Sequence, residues 1–149
     1  MPYSSIVVGT DGSPSAERAI AQAASLAVAD GARLVIVTAY HEGEGPTHDV
    51  AADAVPEDIR HVLTDRVQAE ELAGRGRELA REAGARSVVV QALAGEPAGA
   101  IIEAAADFSA DLIVVGSRGL DSHAHFILGS VASSVAHHAP CDVLVAHTV

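Results

Sequence analysis

Five short runs rich in aliphatic residues recur along the chain, and each one predicts a β-strand. They lie at residues 4–11, 33–40, 86–93, 110–117 and 141–149. Their centres consist mainly of Val, Ile, Leu and Ala, and Gly, Asp or other polar residues bound most of them. Short, continuous apolar runs of this kind are typical of strands buried in the interior of a sheet.

Apolar residues between these strands recur at helical spacing, which predicts amphipathic helices. The helices are expected between Ser13 and Gly31 and over about 59–83, 95–108 and 129–139. Ser13 followed by Pro14 is typical of a helix start, because the missing N–H of proline would be unpaired in the first turn anyway. Gly74 and Gly76 are expected to weaken the middle of the second helix.

The order of the elements predicts the fold class. Strands that alternate with helices form parallel β-α-β units with right-handed crossovers. A long loop is expected over residues 41–58, where prolines and glycines interrupt any periodicity. No repeat, linker or low-complexity segment divides the chain. We therefore predict one α/β domain over residues 1–149, a doubly wound, five-stranded parallel sheet with helices on both faces.

The charge balance narrows the range of partners. The chain of 149 residues has 20 acidic and 9 basic residues, a formal net charge of -11 at pH 7. Such a surface disfavours nucleic acid and anionic membranes as partners, because too few cations are available to neutralise phosphates. A phosphate ligand would have to be held by local backbone donors instead.

Cys141 and the N-terminal residues indicate the compartment. Cys141 is the one cysteine, so no internal disulfide forms, and its place at a strand start without a nearby cation predicts a buried, unreactive thiol. The chain begins directly with a strand, and no apolar run reaches the length of a membrane span. We expect a cytoplasmic protein.

The loop after the first strand is the first candidate ligand site, since ligands of open parallel sheets bind beyond the carboxyl ends of the strands. It reads Gly9-Thr10-Asp11-Gly12-Ser13 and lacks the G-x-G-x-x-G dinucleotide fingerprint. The Asp11 carboxylate would repel a bare phosphate but would suit sugar hydroxyls, an amino group or a bridging Mg²⁺. Equally, Asp11 and Ser13 could serve as turn and capping residues, and both roles can hold together.

The loop after the fourth strand reads GSRGLDSHAHFILGS and carries a more specific pattern. Gly116 and Gly119 allow positive φ angles and close approach of the backbone to a ligand. Gly129 and Ser130 open the last helix, where free N–H groups and the helix dipole favour an anion. Arg118 is the one strong cation of the loop. The alternative is a structural connection in which the glycines make turns and Ser130 caps the helix.

At these residues the sequence resembles the universal stress protein family. The spacing Gly116-x2-Gly119-x9-Gly129-Ser130 matches the G-x2-G-x9-G-S/T signature of its ATP-binding branch. The flanking stretches IVVGTDGSPSAERAI, DLIVVGSRG and LGSVASSVAHHAPCDVLV agree with the family as well. The resemblance spans essentially the whole chain and is weakest over residues 41–70. It implies a sheet in the strand order 3-2-1-4-5, with ATP across its carboxyl edge.

The resemblance also implies which residues hold the nucleotide. Asp11 would face the adenine-ribose part, and Ala39 would lie against the adenine. Phosphate and ribose contacts, mostly through the backbone, are implied for Gly116, Ser117, Gly119, Gly129, Ser130 and Val131. Thr10 and Arg118, which stand in the same loops, complete the set of candidate binding residues. A homodimer is implied through the last strand, at Val143, Leu144 and Val145.

These observations favour an ATP-binding protein of stress response and signalling, with or without Mg²⁺ on the nucleotide. The sequence contains neither a Walker A lysine nor a G-x-S-x-G elbow. We therefore assign no catalytic residue and no metal site, and we expect hydrolysis to be weak at most. In relatives the stretch that contains His123 and His125 is often more basic. The alternatives are a slow Mg²⁺-dependent ATPase with Asp11 as metal ligand and a dimerisation module that binds no nucleotide.

Overall fold

A computed structural model describes residues 2–41, 57–117 and 128–147 of the chain. The elements, in chain order, are β1 (Ser5–Gly9), α1 (Pro14–Asp30), β2 (Arg33–Tyr40), α2 (Glu57–Glu82), β3 (Val88–Ala94), α3 (Pro97–Asp107), β4 (Leu112–Gly116), α4 (Ser130–His138) and β5 (Asp142–Ala146). The five strands pair in parallel in the order β3-β2-β1-β4-β5. The predicted doubly wound sheet and its strand order are confirmed.

Aliphatic side chains cover both faces of the sheet. Leu34 and Ile36 of β2 pack into the core layer shared with α1, and Val35 and Val37 pack into the opposite layer shared with α3 and α4. None of these four side chains is more than 1% exposed. Because successive residues of a strand point to opposite faces, a strand covered on both sides has to be apolar throughout. This requirement explains the continuous aliphatic runs of the sequence.

The start of α1 follows the predicted pattern of caps. Oγ of Ser13 accepts a hydrogen bond from the N–H of Ala16 at 3.1 Å, and Pro14 is the first helical residue. Gly31 follows the helix in the left-handed conformation, with φ of 68°. These local signals place the start of α1 directly after the loop that follows β1.

The second helix begins earlier than predicted. Its first residue is Glu57, inside the segment predicted as a loop; residues 42–56 of that segment lie outside the described residues. It also runs without a break through Gly74 and Gly76. A Cβ added at Gly76 would lie 3.1 Å from Cγ2 of Ile36 and 3.2 Å from Cδ1 of Ile20, whereas one at Gly74 would meet no atom within 4 Å. Gly76 therefore lets α2 lie close against the sheet.

The longest helix, α2, has 26 residues, with charged side chains distributed along it. Within the described ranges, no helix combines the length and the apolar character that crossing a membrane would require.

Candidate functional site

A cavity of about 260 Å³ lies at the carboxyl edge of the sheet, where β1 and β4 are neighbours. The chain leaves β1 towards α1 on one face and leaves β4 towards α4 on the other face. The loops therefore diverge and leave a crevice between them, which is where ligands bind in open α/β sheets. The ends of β1, β2 and β4 form its floor. Its walls are formed by the first turn of α4 and by single residues of the other helices: Ala16 of α1, Leu72 of α2, and Pro97 and Ile101 of α3.

Most of the predicted site residues line this cavity. They are Thr10, Asp11, Ala39, Gly116, Gly129, Ser130 and Val131. Ser117 follows β4 but is not part of the cavity wall; its carbonyl oxygen accepts a hydrogen bond from the N–H of Gly129 at 2.9 Å. Arg118 and Gly119 lie outside the described residues, as do His123 and His125.

The first loop is held in shape by its own polar side chains. Oδ1 of Asp11 accepts from the N–H of Ser13 at 2.9 Å, and Oγ1 of Thr10 accepts from the N–H of Gly12 at 3.1 Å. The turn and capping roles predicted for Asp11 and Ser13 are thus confirmed. A carboxylate has more acceptor sites than this one bond uses, so Asp11 keeps capacity for hydroxyl groups of a ligand.

The helix that follows the second loop begins without a side-chain cap. Gly129 is its N-cap, and the first bond back into the helix runs from the N–H of Ser133 to the Gly129 carbonyl at 3.0 Å. The amides of Ser130, Val131 and Ala132 precede that bond and have no acceptor within the helix. All three residues line the cavity. The helix therefore offers donors and the positive end of its dipole to an anion there.

This geometry corrects two details of the sequence analysis. The N–H of Gly129 is already used by Ser117, so the available donors are the amides that come after it. Ser130 is the first helical residue and not the cap. The capping role predicted for Ser130 in the structural alternative is therefore wrong.

Of the two glycines for which the sequence suggested a positive φ, Gly116 does not adopt one, and Gly119 lies outside the described residues. Gly116 ends β4 in register with Ala146 of β5, whereas Gly12 in the first loop has φ of 80°. Gly116 lines the cavity at the end of β4.

Apolar residues that the sequence reasoning did not single out complete the cavity. Leu72 of α2 and Ile101 of α3 line it. A Cβ on Gly9 would lie 2.5 Å from Cδ1 of Ile101, and one on Gly12 would lie 2.6 Å from Cδ2 of Leu72. These glycines thus allow two helices to press their side chains against the first loop. No local pattern in the sequence indicates which buried side chains reach the cavity.

Cys141 lies at the opposite, amino end of the sheet, next to the start of β5. Burial, followed by the charges of Asp142 and Asp111, raises the pKa of its thiol. The thiol is half-buried, and the raised pKa agrees with the predicted low reactivity.

The described part of the chain contains no cluster of three or more His, Cys, Asp or Glu that could hold a metal ion.

Comparison with known proteins decides the family. The model of the universal stress protein family matches residues 2–147. The chain belongs to the universal stress protein family. Universal stress protein Rv1636 of Mycobacterium tuberculosis is 40% identical to it over 147 residues, which is 98% of this chain and 97% of the relative.

Solved structures share the fold of this universal stress protein. A universal stress protein crystallised in complex with cAMP superposes with a TM-score of 0.76 at 34% identity and covers 100% of both chains. The universal stress protein of Archaeoglobus fulgidus in complex with dAMP superposes with a TM-score of 0.69 at 29% identity, over 97% of this chain and 98% of that one. Both relatives therefore hold an adenine nucleotide.

Proposed function

We propose that this universal stress protein binds an adenine nucleotide, with ATP as its ligand, and that occupancy of the site acts as a signal in the stress response. The observation that carries the proposal is the cavity at the carboxyl edge, which joins an apolar wall to the uncapped start of α4. The cAMP and dAMP complexes of two relatives support an adenine nucleotide as the ligand.

The strand order suggests how the base, ribose and phosphate of a nucleotide would lie along the cavity. Ala39 ends β2, Asp11 follows β1, and Gly116 ends β4. Neighbouring strands are about 4.8 Å apart, so β2 and β4 are separated by roughly 10 Å. The apolar end over β2 suits a base, the carboxylate after β1 suits ribose hydroxyls, and the amides of α4 suit phosphate. The acidic Asp11 keeps phosphate away from the α1 side.

Binding relies on directed backbone donors because the global charge opposes it. The chain carries a net charge of -11, and the dipole of one helix contributes only about 0.3–2 kcal/mol. Several converging amides therefore have to supply the rest of the phosphate affinity.

A Mg²⁺ ion bound with ATP would receive few coordinating ligands from the protein. Asp11 is the one carboxylate among the described residues that line the cavity, and it stands beside the proposed ribose position. The phosphates and water would therefore provide most of the ligands of the ion. We assign no general base at the phosphate end and propose a binding role.

Calorimetric titration of the full chain with ATP, AMP, cAMP and GTP tests the proposal. We expect the adenine nucleotides to bind, ATP most tightly, and GTP to bind more weakly. Mass spectrometry of nucleotide released from the purified protein gives an independent readout. Absence of binding by every adenine nucleotide at millimolar concentration would contradict the proposal.

Replacing Asp11 with Asn is expected to weaken the binding of ATP about fivefold. The amide keeps an oxygen for the N–H of Ser13, so the loop stays folded, but the charge-assisted bond to the ribose hydroxyls is lost. Calorimetry with ATP and 2′,3′-dideoxy-ATP measures this. The dideoxy analogue should bind wild type and Asp11→Asn equally, and an equal loss with both ligands would place Asp11 elsewhere than at the ribose.

We also propose that the chain forms a homodimer through the outer edge of β5. Among the described strands β5 pairs only with β4, and Val143, Leu144 and Val145 are half-buried. Pairing of that edge with a second copy would satisfy its backbone groups and cover these side chains. Sedimentation equilibrium should give about twice the chain mass of 15.1 kDa. A mass that stays at that of one chain up to high micromolar concentration would contradict the dimer.

A further inference from the structure

One polar side chain at the cavity has no role in the arrangement described so far. Thr38 lies near the carboxyl end of β2, lines the cavity and is 2% exposed. Its Oγ1 atom is buried and has no hydrogen-bond partner among the described residues. Buried hydroxyl groups are nearly always paired in folded proteins, because an unpaired one is destabilising. The Thr38 hydroxyl therefore lacks the hydrogen-bond partner that a buried hydroxyl usually has.

The surroundings of Thr38 explain why the protein itself does not supply that partner. The flanking residues Val37 and Ala39 are apolar, and the register partner on β3 is Ala92. Residues two apart on a strand share a face, so Thr38 stands on the same face as Ile36, which belongs to the core beneath α1 and α2. The hydroxyl of Thr10, in the loop after β1, accepts from the N–H of Gly12 and is not paired with Thr38.

The position of Thr38 along the cavity indicates which part of a nucleotide it faces. It belongs to β2, which is separated from β4 and the amides of α4 by the intervening strand β1. An anion at the start of α4 therefore leaves the base over the end of β2. Thr38 lies at that end and not beside the phosphates.

We propose that Thr38 determines specificity for the base, with its hydroxyl forming a hydrogen bond with the polar edge of the bound adenine. The proposal rests on the proposed function. A hydroxyl both donates and accepts, so it pairs with a ring nitrogen or with the exocyclic amino group. A rotation of about 120° about χ1 exchanges the hydroxyl with the methyl group, and one ordered water can also bridge the two partners.

The test compares two variants of the full chain with two ligands. Thr38→Val removes the hydroxyl at almost unchanged volume, and Thr38→Ser keeps it. AMP carries the base, and ribose 5-phosphate lacks it. Calorimetry follows AMP, and NMR titration follows the weaker ribose 5-phosphate. We expect Thr38→Val to bind AMP about five- to tenfold more weakly and ribose 5-phosphate as wild type does. Thr38→Ser should bind AMP within about twofold of wild type.

Stability without nucleotide gives a second readout. Urea denaturation of Thr38→Val should show a midpoint equal to or above that of wild type, because the variant loses an unpaired buried hydroxyl and no bond. A lower midpoint would mean that the hydroxyl is paired inside the free protein, and it would overturn the inference. Unchanged AMP affinity, or an equal loss with both ligands, would overturn it as well. If wild type binds no adenine nucleotide, the proposed function itself fails and the role of Thr38 falls with it.

Discussion

A valine in place of Gly129 is expected to weaken the binding of ATP by more than about 100-fold, which is roughly 3 kcal/mol. Gly129 lines the cavity and directly precedes the donor amides of Ser130 and Val131. A branched side chain at this N-cap would fill the space through which phosphate has to approach those amides. The fold should survive, because the backbone of Gly129, with φ of -56° and ψ of 158°, is open to any L-residue.

Gly99→Val provides the matched control for Gly129→Val. Gly99 lies in the first turn of α3, and a Cβ added there would meet no atom within 4 Å. We expect wild-type ATP affinity in Gly99→Val and cooperative thermal unfolding in both variants. Calorimetry gives the affinities, and circular dichroism gives the unfolding curves. If Gly129→Val binds ATP with wild-type affinity, the phosphate does not lie at the start of α4, and the proposed arrangement of the nucleotide is wrong.

The second large effect concerns stability. Replacing Gly76 with Leu is expected to destabilise the chain by roughly 2–3 kcal/mol, because a Cβ at this position already meets Ile36 at 3.1 Å and Ile20 at 3.2 Å. The helix would have to move away from the sheet, or the two isoleucines would have to leave their rotamers. For a chain of this size, the melting temperature should fall by roughly 5–10 °C.

Gly74→Leu separates this packing effect from helix propensity. Gly74 lies on the same helix, and a Cβ there meets nothing within 4 Å. Leucine favours a helix over glycine by roughly 0.5–1 kcal/mol, so this variant should be slightly more stable than wild type. Urea denaturation of both variants measures the difference. If both gain stability, the contact between α2 and the sheet is looser than the structure shows.

The two helix starts at the cavity explain how an acidic protein could select the orientation of a nucleotide. The start of α1 is capped by Ser13, whose Oγ accepts from the N–H of Ala16, and Oδ1 of Asp11 accepts from the N–H of Ser13. The start of α4 has glycine at the N-cap and no such oxygen. We therefore expect the α1 end of the crevice to repel phosphate and the α4 end to attract it.

Much of the fold could be predicted from local patterns. Runs of Val, Ile and Leu indicated the strands, because a strand covered on both faces has no polar side. Ser13 and Pro14 indicated the start of α1, because capping depends on residues within a few positions of each other. The spacing from Gly116 to Ser130 indicated the second loop of the site. These signals can be recognised in a single sequence because the interacting residues lie close together along the chain.

The tertiary structure alone decided how distant segments complete the site. Leu72 and Ile101 reach the cavity because α2 and α3 pack closely against Gly12 and Gly9, and no spacing in the sequence encodes that approach. Helix propensity alone predicts that Gly76 destabilises α2, yet the lack of a side chain at Gly76 lets the helix lie close to the sheet. Thr38 reads as an ordinary strand residue until its neighbours are known. Whether a buried group is paired depends on atoms from several segments, so only their packing together reveals it.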